Sequence, residues 1–255
     1  MNIVVLVKQI PDPAGPSELE DDYTLDRNCK LILDESDSYG VEIALQLRET
    51  SGGGEVTLVS MAPNKEVSGI RTALAMGAEK AILVTDDALS GADALTTAKV
   101  LAKAIERAGD YDLVIGATES TDGYVGTVPA AIAELLGLPS VTFAKKIEVQ
   151  EGKIVVQRQT EAGYDLIEAP LPAMISVTAG VVEPRYPSFK GIMAAKKKPC
   201  DIIGVSDLGL DVSAGWGQEI LSVEDAPARA AGEKIEDDGE SYLKIVEFLE
   251  NKKII

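Results

Sequence analysis

Histidine is absent from the 255-residue chain. Its absence excludes imidazole metal sites, Ser-His-Asp and Cys-His nucleophile pairs and histidine proton relays. Hydrolysis at a protein-supplied nucleophile is therefore not expected. Cations are also scarce: 24 Lys and Arg face 42 Asp and Glu, for a formal charge of −18. Such a balance argues against nucleic acid, whose phosphates need neutralising, and against anionic membrane surfaces. No apolar run approaches the roughly 18–20 residues of a membrane helix. The opening "MNIVVLVK" has an apolar run only from Ile3 to Val7 and reads as a first strand, not as a signal peptide. Cys29 and Cys200 stand alone without metal-ligand spacing, so reduced thiols in a cytoplasmic protein are expected. Aromatics make up 4% of the chain, which leaves the core to Ala, Val, Ile and Leu.

What is present is an alternation of short apolar runs and helical patterns, the mark of a parallel α/β sheet. "NIVVLV", "EVTLVSM", "KAILVTD" and "YDLVIGAT" read as strands. Helical patterns lie between them, and in the last one Leu95, Ala98, Leu101 and Ile105 form one apolar stripe. Asn64 is the expected N-cap of the second helix, with Gly77 and Gly109 as C-terminal stops. Right-handed crossovers wind these elements into a doubly wound, mostly parallel sheet. After Pro139, "SVTFAKKIEVQEGKIVVQRQTEAGYDLIEAP" predicts antiparallel hairpins with turns at Glu151-Gly152 and Ala162-Gly163. "PAMISVTAG" and "CDIIGVSDLGL" carry the remaining strands. Residues 1–210 are thus one α/β domain, and 211–255 an extended arm ending in the amphipathic helix "ESYLKIVEFLENKK".

Two segments invite a function. "GATESTDGYVGTVPAAIAELLG" follows the fourth strand, where ligands of doubly wound sheets sit. Gly123 and Gly126 permit close backbone approach, and Thr127 with Pro129 opens a helix whose free N–H groups suit a phosphate. The loop has no lysine and no GxGxxG, so it is neither a P-loop nor a dinucleotide fingerprint. An ordinary strand-to-helix turn accounts for the same glycines. The second segment, "EPRYPSFKGIMAAKKKP", is basic, aromatic and proline-punctuated within an acidic chain. Phe189 and Met193 either pack on the core or form an exposed anchor ringed by cations. Lys196, Lys197 and Lys198 either join that ring or complement a helix dipole.

Together several segments resemble the beta (small) subunit of electron transfer flavoprotein, essentially end to end. "NIVVLVKQIPDP" is similar to that family's first strand and its "VK-x-V-P-D" continuation, and "GIRTALAMGAEKAILV" to its "IR-x-ALAMGAD" helix. "STDGYVGTVP" resembles its nucleotide loop, and "VVQRQTEAGYDLIEAPLPAMISV" its signature segment, departing at Ala162 and Asp165. "EPRYPSFKGIMAAKKK" resembles its recognition loop, residues 183–198, and "AGEK" at 231–234 a piece of its arm.

The resemblance implies a Rossmann-like, adenine-nucleotide-binding sheet and an electron carrier rather than an enzyme. It implies a heterodimer with an alpha subunit that holds most of the redox FAD. This subunit would hold AMP, or a second FAD in electron-bifurcating members. Carried over by position, the nucleotide pocket comprises Leu6, Asp34, Glu35, Ser36, Asp37 and Met61. The loop Ala117, Thr118, Glu119, Ser120, Thr121, Asp122, Gly123, Tyr124, Val125, Gly126, Thr127 and Val128 completes it. Arg185, Tyr186, Phe189, Lys190, Ile192 and Met193 would dock flavin-dependent dehydrogenases such as acyl-CoA dehydrogenases. Where some members carry an aromatic near the flavin, this chain has Pro13-Ala14-Gly15, so no stacking residue carries over there. The arm would wrap the alpha subunit. A nucleotide-binding regulatory protein similar to universal stress proteins is the alternative, though such a domain has no need of the recognition segment and arm. A nicotinamide dehydrogenase lacks its glycine fingerprint here.

Overall fold

The computed structural model describes residues 1–211, 217–224, 226–228, 231–232 and 234–255. Glu233 of the "AGEK" segment lies outside the described residues. The chain forms two compact units, Met1–Ile220 and Leu221–Ile255.

In the first unit, β1 (Ile3–Leu6) precedes a small antiparallel pair, β2 (Gln9–Pro11) and β3 (Leu31–Leu33). α1 (Glu35–Thr50), β4 (Val56–Ala62), α2 (Ser68–Met76), β5 (Lys80–Thr85) and α3 (Ala94–Arg107) follow. β6 (Leu113–Ala117) and α4 (Val128–Leu136) complete the alternation. β7 (Ser140–Gln150), β8 (Lys153–Thr160) and β9 (Gly163–Pro170) form an antiparallel meander. β10 (Ala173–Val177), α5 (Phe189–Ala195) and β11 (Cys200–Ile203) close the unit, and α6 (Tyr242–Asn251) lies in the second.

Nine strands join in the order β11-β5-β4-β1-β6-β10-β7-β8-β9. Every pairing from β11 to β7 is parallel, and only the β7–β8 and β8–β9 pairings are antiparallel, so β8 alone runs against the rest. This is the doubly wound α/β sheet expected, with the hairpins added at one edge. Its central strands, such as β1, β6 and β10, are largely apolar and buried because both faces are covered, whereas β7 to β9 carry charged and exposed residues. Along β1, Ile3 and Val5 pack with Val41 and Leu45 of α1. Val4 and Leu6 pack on the other side with Ala98 and Leu101 of α3 and Ile132 of α4. The chain passes from β1 to β4 on one flank and later to β6 on the other. That reversal opens a crevice at the carboxyl ends of β1 and β6, and there the candidate site lies.

Several local expectations change. Asn64 does not cap α2: the N-cap is Val67, which contributes no side-chain bond. Asn64 instead accepts the Glu66 N–H at 3.1 Å, a side-chain turn ahead of the helix. Leu95 falls outside the α3 stripe and is exposed, because it sits in the first turn, past the sheet, while Ala98, Leu101 and Ile105 are buried. Gly163 begins β9 rather than ending the turn before it. α6 buries none of its residues within its own unit. Among the described residues, no helix is long and apolar enough to cross a membrane.

Candidate functional site

A cleft of about 760 Å³ opens at the carboxyl ends of β1, β4 and β6. Leu6, Met61 and Ala117 line it from those three strand ends, and Thr118, Glu119, Ser120, Gly123, Val125 and Val128 line it from the loop. Asp37 reaches it from α1. Thr127 is the N-cap of α4 and offers no side-chain bond, and Pro129 sits in the first turn. The N–H groups of Gly123, Val125, Gly126, Thr127 and Val128 find no acceptor among the described residues. Gly123, Val125 and Val128 line the cleft, and their unpaired donors beside its apolar walls suit a phosphate and its base, respectively. Tyr124 bends the loop: its φ is 51°, and its N–H donates back to Ser120 at 2.9 Å.

The other residues carried over for this pocket stand behind the loop or outside it. Asp34 is buried and caps α1, accepting the Ser36 N–H at 3.0 Å. Its second oxygen accepts the Thr121 N–H at 2.7 Å and the Thr121 hydroxyl at 3.2 Å. Asp34 therefore staples the loop to α1 instead of facing a ligand. Glu35, Thr121, Tyr124, Gly126 and Thr127 are exposed and do not line the cleft. Asp37 is buried and accepts the Lys8 N–H at 2.5 Å. Burial, and then the neighbouring charge of Asp34, hold its carboxyl well above the ordinary carboxylate range.

Two cations were missed. Lys8 Nζ lies 2.6 Å from Asp122 Oδ1 and 3.2 Å from Ser120 Oγ, and Arg27 Nη2 lies 2.5 Å from Asp122 Oδ2. Both cations line the cleft, and the Asp122 side chain is 7% exposed. Burial would raise the Asp122 carboxyl, but Lys8 and Arg27 outweigh it and hold the group below its usual value. The loop carries no lysine of its own; the fold brings one to it. The available signal was the "VK" at the end of the first strand, one pleat beyond Leu6.

The second segment is laid open. Tyr186 is 91% exposed and Phe189 80%, so neither packs on the core. Ile192 and Met193 are exposed too, as are Lys190, Lys196 and Lys197 of the same segment. Arg185 does not stand free at a rim, for its guanidinium is committed to Glu42 and Glu49 of α1. Lys198 is turned inward and donates to the Leu74 and Ala78 carbonyls at the end of α2, at 2.9 and 2.5 Å. Among the described residues, no cluster of Cys, Asp or Glu could hold a metal ion.

A family model described as the electron transfer flavoprotein domain matches residues 23–208. The electron transfer flavoprotein subunit beta of Mycobacterium tuberculosis is 44% identical over 264 residues, covering 100% of this chain and 99% of its own. The chain belongs to the electron transfer flavoprotein beta-subunit family. The subunit beta of Thermoanaerobacterium thermosaccharolyticum is 37% identical over 265 residues, with 100% of both chains covered. Subunit CarD of the caffeyl-CoA reductase–Etf complex of Acetobacterium woodii is 33% identical over 240 residues, 92% of each chain. Membership makes electron transfer in association with a flavin the role of this chain.

Proposed function

We propose that this chain is the beta subunit of a cytoplasmic heterodimer, with AMP in the cleft between β1 and β6. The alpha subunit holds most of the FAD, which supplies the redox chemistry when bound. Electrons come from flavin-dependent dehydrogenases, such as acyl-CoA dehydrogenases, and pass on towards a respiratory chain. The observation that carries the nucleotide reading is the run of unpaired N–H groups between Gly123 and Val128 at the head of α4, of which those of Gly123, Val125 and Val128 belong to residues that line the cleft. A phosphate satisfies such donors, and the helix dipole adds to the attraction. Leu6 and Met61 offer apolar contact to an adenine. Asp122 and Asp34 hold the loop in place for both.

The exposure of Tyr186, Phe189, Ile192 and Met193 in a segment that also carries Lys190, Lys196 and Lys197 supports docking of the dehydrogenase, since an exposed aromatic makes a compact anchor. Residues from Leu221 onward are proposed to wrap the alpha subunit. Cys29 and Cys200, both free, fit a reducing compartment.

Heating the purified heterodimer and separating the released nucleotides tests the assignment. One AMP and one FAD per heterodimer are expected. Two FAD and no AMP would place a flavin in this cleft, and a single FAD with nothing else would overturn the nucleotide site.

A further inference from the structure

The segment 183–198 is held at both ends by groups that do not reach its exposed aromatics. At the leading end, Arg185 Nε donates to Glu42 Oε2 at 2.7 Å, and Nη2 donates to Glu42 Oε1 at 3.0 Å. Its Nη1 donates to Glu49 at 2.8 Å, and its backbone N–H adds a bond to Glu42 at 3.1 Å. The Glu42 side chain is 4% exposed and also accepts from Gln46 at 2.8 Å. At the trailing end, Arg71 Nη1 donates to the Ala195 and Lys198 carbonyls, both at 2.7 Å. Between the two, a Cβ on Gly191 would stand 2.5 Å from the Ala75 carbonyl, so α5 lies directly on α2.

Only the Glu42 side of this pair is buried, the Arg185 side chain being 35% exposed, and such a pair is weak evidence for stability; its best-attested use is to fix register. Here the register it fixes is that of a loop whose aromatics face water. Left free, such a loop would fold Phe189 back onto apolar surface, and a partner would have to order it again on binding.

We propose that Glu42 and Arg71 are positioning residues of the docking surface. Glu42 acts through Arg185, and Arg71 through the carbonyls at and just past the end of α5; together they hold Phe189 outward for an incoming dehydrogenase that neither residue touches. The inference rests on the docking reading of Phe189.

The test uses the purified heterodimer and a flavin dehydrogenase that reduces the wild-type protein. Glu42→Gln keeps the shape and removes the charge. It is expected to raise the KM for the heterodimer about five- to tenfold, with kcat and bound flavin retained. Placed in a Phe189→Ala background, the same change is expected to have less than a twofold effect, because its route to the partner is gone. Arg71→Lys, which keeps the charge and loses the fork, is expected to act the same way more weakly, and serves if Glu42→Gln does not fold. A lowered melting temperature with unchanged KM in both variants overturns the proposal, as does an equal effect with and without Phe189. If Phe189→Ala leaves KM unchanged, the docking reading itself has failed, which is a separate result.

Discussion

Gln9 Oε1 accepts the backbone N–H of Gly69 at 2.8 Å, across 60 residues of sequence. It also lies 3.4 Å from the Ile70 N–H, while Gln9 Nε2 donates to the Glu66 carbonyl at 2.6 Å. Val67, the formal N-cap of α2, has no polar side chain, so a residue from β2 does the capping. Gly69 must be glycine for this contact: a Cβ there would stand 2.7 Å from the Leu33 nitrogen and 2.8 Å from Gln9 Cγ. Gln9→Leu is expected to cost about 1–2 kcal/mol, lowering Tm by about 2–8 °C in thermal melts. Gly69→Ala should cost more than that, through backbone displacement. An unchanged Tm for both would remove the capping argument.

Gly126 tests the cleft without disturbing the fold. An added Cβ there meets only Glu119 Oε2 and the Thr118 carbonyl, at 3.7 Å, and its φ is not left-handed. Gly126→Val should therefore melt like the wild type once both are stripped of nucleotide. It should also lose the bound nucleotide, because a branched side chain between the lining residues Val125 and Val128 crowds the donors proposed to hold the phosphate. Retention of a full equivalent would show that the loop is an ordinary turn.

Asp37 gives the pH dependence a definite sign. Its folded-state pKa is raised, by burial first and by Asp34 second, with Lys8 opposing and Asp122 adding to the rise. A carboxyl of this kind adds stability below its unfolded pKa and loses it as pH rises through the folded value. In Asp37→Asn that loss is gone, and the amide oxygen still serves as acceptor for the Lys8 N–H. The Tm of the variant relative to wild type should climb as pH rises above the ordinary carboxylate range. A constant offset over that rise would mean that Asp37 stays in one protonation state.

Phe189→Ala separates surface from core in one protein. Truncating a buried Phe costs about 3–5 kcal/mol, but this ring is 80% exposed, so Tm should hardly move. Reduction of the flavin by a partner dehydrogenase should weaken more than tenfold in affinity, the usual worth of an anchor at an interface centre. Lys190→Ala should slow association at low ionic strength, an effect that fades with added salt.

A cut after Ile220, where the first compact unit ends, tests the arm. Gly217 donates to Asp93 at 2.9 Å, and Gln218 and Ile220 line the cleft, so they belong with the sheet. A chain ending at Ile220 should keep the thermal transition of the first unit and fail to recover the alpha subunit on gel filtration. Normal heterodimer recovery would show that the arm is not the grip.

The sheet could be read from residue order because burial on both faces forces whole strands to be apolar, as in Ile3–Leu6 and Leu113–Ala117. The hairpins of β7 to β9 were equally plain, since alternation and turn glycines are local signals. The loop from Ala117 to Val128 was visible for the same reason: glycines, a proline and a strand end within a few positions. Contacts between distant charges had no such signature. Lys8 and Arg27 meet Asp122 across 114 and 95 residues, and Arg185 meets Glu42 across 143. One Lys, Arg or Glu looks like another along the chain, and most of them are solvated. Which ones converge depends on how the crossovers stack α1, α2 and the long turn before β3 against the carboxyl ends of the strands. Phe189 depended on the fold in the opposite sense. An apolar residue at a helix start usually turns inward, yet Phe189 is 80% exposed in a segment whose flanks are bonded to Glu42 and Arg71.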